Sequence, residues 1–145
     1  MTQIYDNVRL VGAESDFATL HKVYGWMVNG VQFTPQDGLP RMIPLIDFDN
    51  LDKNIFRVVN QFTVEYTNNG QKENRRPDVL LFVNGMPLCV IELKNPADAN
   101  ATIYDAWEQI NIRYWRDIPH LLHYCPLACI SDGVKTKTWN SSYSL

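Results

Sequence analysis

Along the chain the apolar positions change period several times, and each change marks an element. Phe17, Leu20, Tyr24 and Met27 recur at helical spacing, with Ser15 placed to cap the start and Asn29-Gly30 to end the run. The spacing predicts a helix over roughly 16–28. TPQDGLPR, residues 34–41, is loop by composition. MIPLIDF is a short apolar run, expected to form a strand ending near Asp47. Next the pattern alternates: Phe56, Val58, Phe62, Val64 and Tyr66 share one parity, with Asn60 the polar exception. One long strand is expected there, closed by a turn at TNNG.

Two apolar runs then flank Asn84-Gly85 in RRPDVLLFVNGMPLCVIELKNP, residues 75–96, a strong β-hairpin signal. NPADA breaks the second run. Ile103, Trp107, Ile110 and Tyr114 fall on one stripe, which predicts a helix over roughly 99–116. DIPHLLHYCP reads as a connector and LACI as a short strand ended by SDG. The tail from residue 139, WNSSYSL, reads as polar and loose, and residues 1–14 carry little signal. Helix, strands, hairpin, helix and strand in that order make a mixed α/β (α+β) domain spanning residues 1–145.

Composition narrows the function classes. Of 145 residues 46% are hydrophobic and 20% charged, enough apolar material for one core. The net charge of −3 excludes a uniformly basic nucleic-acid binder, so any DNA contact must come from a local patch or a partner. Three cysteines, Cys89, Cys125 and Cys129, with no secretory signal, point to a reducing compartment and a cytoplasmic location. No apolar stretch is long enough for a membrane span.

The chemistry sits at the rims of the hairpin, where Asp78, Glu92 and Lys94 interrupt an apolar segment. Register decides whether they meet, because a slip of one residue reverses every side chain. With a strict two-residue loop, Val83 pairs with Met86 and Asp78 falls opposite Ile91. With a three-residue loop, Asp78 falls opposite Glu92, and Asp78, Leu80, Phe82, Leu88, Val90, Glu92 and Lys94 share a face. We expect the second register or an equivalent bulge. Two carboxylates so close repel unless a cation lies between them, and Mg²⁺ suits oxygen ligands while keeping waters for a phosphate. Lys94 shares the face of Glu92, where an ammonium can orient water or stabilise a phosphate oxygen. The alternative is a set of solvated strand ends, and spacing alone does not decide between the two.

LIDFDN, VVNQFTVEY, RRPDVLLFVNGMPLCVIELKNPADANATIYDAWEQI, DIPHLL and SDG occur in that order. Together they resemble the N-terminal nuclease domain of the restriction (R, or HsdR) subunit of type I restriction–modification enzymes, from about Gly30 to Gly133. The resemblance implies a PD-(D/E)xK restriction-endonuclease-like fold, a central mixed sheet flanked by helices, and Mg²⁺-dependent cleavage of double-stranded DNA. It implies that Asp78 and Glu92 hold the metal and that Lys94 stands beside the attacking water. The family often carries Gln-x-x-x-Tyr on the following helix. Here Gln109 and Tyr114 are five apart, about 140° round an ideal α-helix, so they are not expected to share a face. Gln109 is kept as a candidate site residue, and Tyr114 also reads as a core tyrosine. A full R subunit has an ATP-driven translocase motor. No G-x-x-x-x-G-K-[ST] loop occurs here, so ATP would act only through a missing motor region and the chain is expected to be a fragment. In the complete enzyme the resemblance implies partnership with methylation and specificity subunits.

Other groups stand beside this set. His120, His123, Cys125 and Cys129 are zinc-ligand types at a non-standard spacing, and a buried free cysteine behaves as a small hydrophobe. Arg75 and Arg76, just before Asp78, are the leading DNA-contact candidates, followed by Arg113, Arg116, Lys135 and Lys137. Glu14 or Asp16 could add a metal ligand. His21 and Cys89 read as structural. Two rival functions remain: a weak or inactive DNA-binding or assembly module of the same fold, and a nuclease of that fold from a DNA-repair setting.

Overall fold

The computed structural model describes residues 8, 10, 15–36, 38–97 and 102–141. The first helix, α1 (Asp16–Asn29), starts where Ser15 accepts a hydrogen bond from the Ala18 amide. It buries Thr19, Leu20, Val23 and Met27, whereas Phe17 and Tyr24 are exposed. The core stripe is therefore rotated from the expected one, because Val23 and Met27 meet Ile46 and Val83. After α1, β1 (Val31–Phe33) and β2 (Arg41–Ile43) form a small antiparallel ribbon. Gly30 joins α1 to β1 at φ +81°, where a Cβ would collide with the Ile43 carbonyl. MIPLIDF is thus a strand only as far as Ile43.

The single long strand expected from Asn54 to Tyr66 is instead two strands in two sheets. β3 (Phe56–Asn60) and β4 (Val64–Asn68) part at Gln61, whose φ of +52° cannot continue an extended strand. β4 turns through Asn69-Gly70 into β5 (Gln71–Arg75), a ribbon that the polar string QKENR does not announce.

The main sheet has the order β3-β6-β7-β8-β9, with β6 (Val79–Val83), β7 (Met86–Leu93), β8 (Leu127–Ser131) and β9 (Thr136–Asn140). Only β7 and β8 are parallel, so the sheet is mixed. Their crossover is helical: α2 (Ile103–Glu108), a π-helical segment (Gln109–Tyr114), α3 (Trp115–Asp117) and α4 (Pro119–Leu122). Thr102 and Asp105 form a capping box at the start. The expected residues 99–101 of this helix lie outside the described ones.

Leu80, Val90, Ala128 and Ile130 of the sheet pack on Ala106, Ile110, Tyr114, Ile118 and Leu122 of the crossover. Val83 packs the other way, on α1. The central mixed sheet flanked by helices is the architecture of a PD-(D/E)xK-like nuclease fold. The tail is not loose at its start. Trp139 and Asn140 close β9 against Ala128 and Leu127, and Ser141 is buried with its hydroxyl on the Cys125 carbonyl. Residues 142–145 lie outside the described ones. Among the described residues no helix is long and apolar enough to cross a membrane.

Candidate active site

The hairpin register is set by a turn and a bulge together. Asn84 and Gly85, at φ +50° and +86°, make a strict two-residue turn, and Val83 pairs with Met86. Phe82 pairs with Pro87, but Leu81 pairs with Cys89, which leaves Leu88 as an extra residue in β7. Beyond the bulge Leu80 faces Val90 and Val79 faces Ile91, and the next rung sets Asp78 across from Glu92. The three-residue loop does not form, and the bulge produces the same shift. It also moves Leu88 off the expected face, to pack with Met86 near α1.

Glu92 is the centre of the constellation. Its side chain is fully buried, with 0% exposure. Oε1 accepts the Tyr114 hydroxyl at 2.6 Å and the Asp78 amide at 3.3 Å, and Oε2 accepts Gln109 Nε2 at 2.8 Å. Burial pushes its carboxyl up to about 7; the Asp78 charge adds to the rise and the Tyr114 hydrogen bond opposes it. Burial first, then the Glu92 charge, also push the Tyr114 phenol far above its ordinary value, so it remains a donor.

Gln109 ties the other groups together. Its Oε1 accepts from Lys94 Nζ at 2.9 Å, while Nε2 reaches both Glu92 and the Tyr114 hydroxyl, the latter at 2.8 Å. The expectation that Gln109 and Tyr114 lie on different faces is wrong. It assumed an α-helix, and the backbone between them is π-helical, whose wider turn brings residues five apart to one face. Tyr114 is both a core tyrosine and a hydrogen-bond partner of Glu92 and Gln109.

Asp78 is held at both oxygens. Oδ1 accepts Gln61 Nε2 at 2.7 Å and Oδ2 accepts the Leu93 amide at 2.9 Å. Asp78, Lys94, Gln61 and Asn95 line an open cleft of about 460 Å³. Gln61 is the residue of this candidate site that sequence reasoning missed. Its signal was the polar pair Asn60-Gln61 inside an otherwise apolar alternation.

Of the remaining candidates, Arg75, Arg76 and Arg113 meet at one neighbouring cleft and the others lie apart. Arg75 is half-buried and engaged within the protein: its guanidinium meets Asp117 at 2.6 Å and stacks over the Tyr66 ring. Arg76 is exposed and lines a second cleft, of about 220 Å³, with Asn74, Arg75, Gln109, Arg113 and Tyr114. Arg113 pairs with Glu108 and Arg116 with Asp117. Lys135 and Lys137 are exposed on the β8–β9 hairpin. Asp16 is taken up by His123 at 2.7 Å, and Glu14 lies outside the described residues. His21 is exposed beside Phe17, and Cys89 and Cys125 are buried. Among the described residues no three His, Cys, Asp or Glu side chains gather as a metal-binding group, so a cation here would rest on two carboxylates.

Comparison with known proteins follows the same residues. Residues 5–144 match the family described as type I restriction enzyme R protein N terminus. The chain is 39% identical over 127 residues to a Methanocaldococcus jannaschii protein assigned as the type I restriction enzyme MjaIXP endonuclease subunit, covering 84% of this chain and 12% of that one. It is 39% identical over 93 residues to the type I restriction enzyme HindI endonuclease subunit of Haemophilus influenzae, covering 64% of this chain and 8% of that one. It is 30% identical over 102 residues to the SauCOLORF180P endonuclease subunit of Staphylococcus aureus, covering 70% and 10%. The chain thus spans between 8% and 12% of the length of these relatives.

Proposed function

Since this chain belongs to the family of type I restriction enzyme R protein N termini, we propose that it is the DNA-cleaving domain of such an R subunit, hydrolysing phosphodiester bonds of double-stranded DNA with Mg²⁺. One observation carries this reading: Asp78, Glu92, Lys94, Gln109 and Tyr114 form one connected hydrogen-bonded set around a fully buried carboxylate. A structural hairpin has no use for a carboxylate in that position, because burying it without a cation is costly.

The donor set fits a hard divalent cation. Two carboxylates with substrate phosphate and water are a usual Mg²⁺ arrangement, and the raised Glu92 carboxyl marks a place where positive charge is missing. Asp78 and Glu92 would hold the ion. Bound there, Mg²⁺ supplies charge for the phosphate oxygens and lowers the pKa of water. Tyr114 and Gln109 fix the Glu92 carboxylate in one orientation. Gln109 also holds the Lys94 ammonium at the cleft, with hydrogens left to donate to a phosphate oxygen or to the attacking water. Water attacks phosphorus in line, and the opposite phosphorus–oxygen bond breaks.

The net charge of −3 makes the isolated chain a weak DNA binder, with Arg76 the best-placed basic contact. In a whole enzyme, methylation and specificity subunits would supply the DNA address and a motor region would use ATP. A Gln109 and Tyr114 set on different faces would favour a cleavage-silent assembly module, and the π-helical turn removes that argument. The test is plasmid nicking with Mg²⁺ by the wild type, Glu92→Ala and Lys94→Ala at equal concentration, with a chelator control. Nicking by the wild type alone supports the reading. Nicking unchanged in both folded variants overturns it.

A further inference from the structure

The residue that splits the expected long strand is bound twice to the site. The Gln61 amide donates to the Asp78 carbonyl at 3.0 Å, and its side-chain Nε2 donates to Asp78 Oδ1 at 2.7 Å. It does so from a φ of +52°, a left-handed conformation that a residue with a long side chain rarely holds. It follows directly on Asn60, whose pairing with Val79 is the last rung of β3 on β6. A glycine or asparagine would satisfy this backbone with less strain, but neither carries an amide of the same reach. Strain kept at a cleft, beside a charged side chain that it contacts, points to a task for the side chain.

From this geometry we infer that Gln61 is a positioning residue for Asp78. With the Leu93 amide on Oδ2, it holds the carboxylate by both oxygens and sets the direction of its remaining lone pairs toward the cleft. Asp78 needs this support because it lies just outside β6 and is only half-buried, whereas Glu92 is locked by the core. The two carboxylates are thus oriented by different means: Glu92 by Tyr114 and Gln109, Asp78 by Gln61 and a backbone amide. In this role Gln61 acts through Asp78, the side chain it contacts. The inference rests on the proposed two-carboxylate cation site and assigns the partner that orients one of its ligands.

Two variants separate the side chain from the backbone. Gln61→Gly keeps the main-chain bond and removes the strain along with the amide. Gln61→Met keeps the length and the strain but loses the donor. Mg²⁺ binding by calorimetry should weaken about tenfold in both, as expected when a ligand loses its orienting partner. Gln61→Gly should at the same time melt at an equal or higher temperature than the wild type, which a merely structural role does not predict. In the metal-free protein, Asp78→Asn should move the NMR resonances of the Gln61 side-chain amide. Variant affinities within twofold of the wild type, or an unmoved amide resonance, overturn the inference. If the wild type binds no Mg²⁺, the cation-site reading fails and this inference with it. If Asp78→Asn abolishes binding while Gln61→Gly and Gln61→Met do not, only this inference fails.

Discussion

The Tyr114 hydroxyl donates to Oε1 of Glu92 at 2.6 Å, joining the crossover helix to the middle of the sheet through a carboxylate with no exposed surface. The bond exists because the helix widens between Gln109 and Tyr114. Tyr114→Phe leaves the ring in the core but takes a donor from a buried charge. Losing such a bond costs about 1–3 kcal/mol. Thermal unfolding should show that loss, and nicking should fall about 10- to 100-fold, the usual effect of removing a partner that orients a metal ligand.

The π-helical turn behaves as a one-residue insertion in an α-helix. Deleting Ile112, which is half-exposed, should let the segment close into α-helix. Glutamine and tyrosine would then be four residues apart, about 40° round the helix, and still on one face. Stability should stay within about 1 kcal/mol and the nicking activity should survive, both measured against the wild type. A deletion variant that folds but cannot nick would show that the wide turn itself is needed.

Glu92 makes the metal-free protein pH-sensitive. Its folded pKa of about 7 lies above the ordinary 4.5, so folding favours the protonated form. That contribution is fully present below pH 4.5 and is lost as pH rises through about 7. The size is on the order of 3 kcal/mol. Denaturant unfolding in chelator should therefore show stability falling across this window. Glu92→Gln should flatten the curve there, and Mg²⁺ should restore wild-type stability at the alkaline end, because a ligand bound only to the folded state stabilises it.

Arg75 and Arg76 should separate cleanly. Arg75 holds Asp117, which is almost completely buried, so Arg75→Ala should destabilise by about 1–3 kcal/mol. The pair also has an acid signature. Arg116, then Arg75, hold the Asp117 carboxyl down to about 2, so this support is present above the ordinary 3.8 and is lost as pH falls toward 2. Arg75→Ala should lessen that loss. Arg76→Ala should leave stability within about 0.5 kcal/mol. It should weaken binding to duplex DNA and reduce the salt slope by about one phosphate contact.

Much of this protein is legible along the chain because much of it is periodic. The runs around Asn84-Gly85 alternate and break at a turn dipeptide, so the hairpin and the meeting of Asp78 with Glu92 follow from neighbours within about 15 residues. α1 and the crossover helix announce themselves in the same way, by caps and by apolar spacing. Polar strands do not: QKENR and the end of β9 have no apolar alternation, and only their partners show them to be strands.

What tertiary structure alone decided are the places where a polar side chain chose a distant partner. Gln61 could have continued a strand, and its bond to Asp78, 17 residues away, accompanies the turn into the left-handed region. Arg75 could have been a free surface charge, and Asp117, 42 residues on, ties its guanidinium down at the cleft. The segment from Gln109 to Tyr114 could have been ordinary α-helix, and there the buried Glu92 finds both residues as its donors. Periodicity is a local property and survives in one dimension. A buried charge must find its hydrogen bonds wherever the packed chain brings them, and that is a property of the fold.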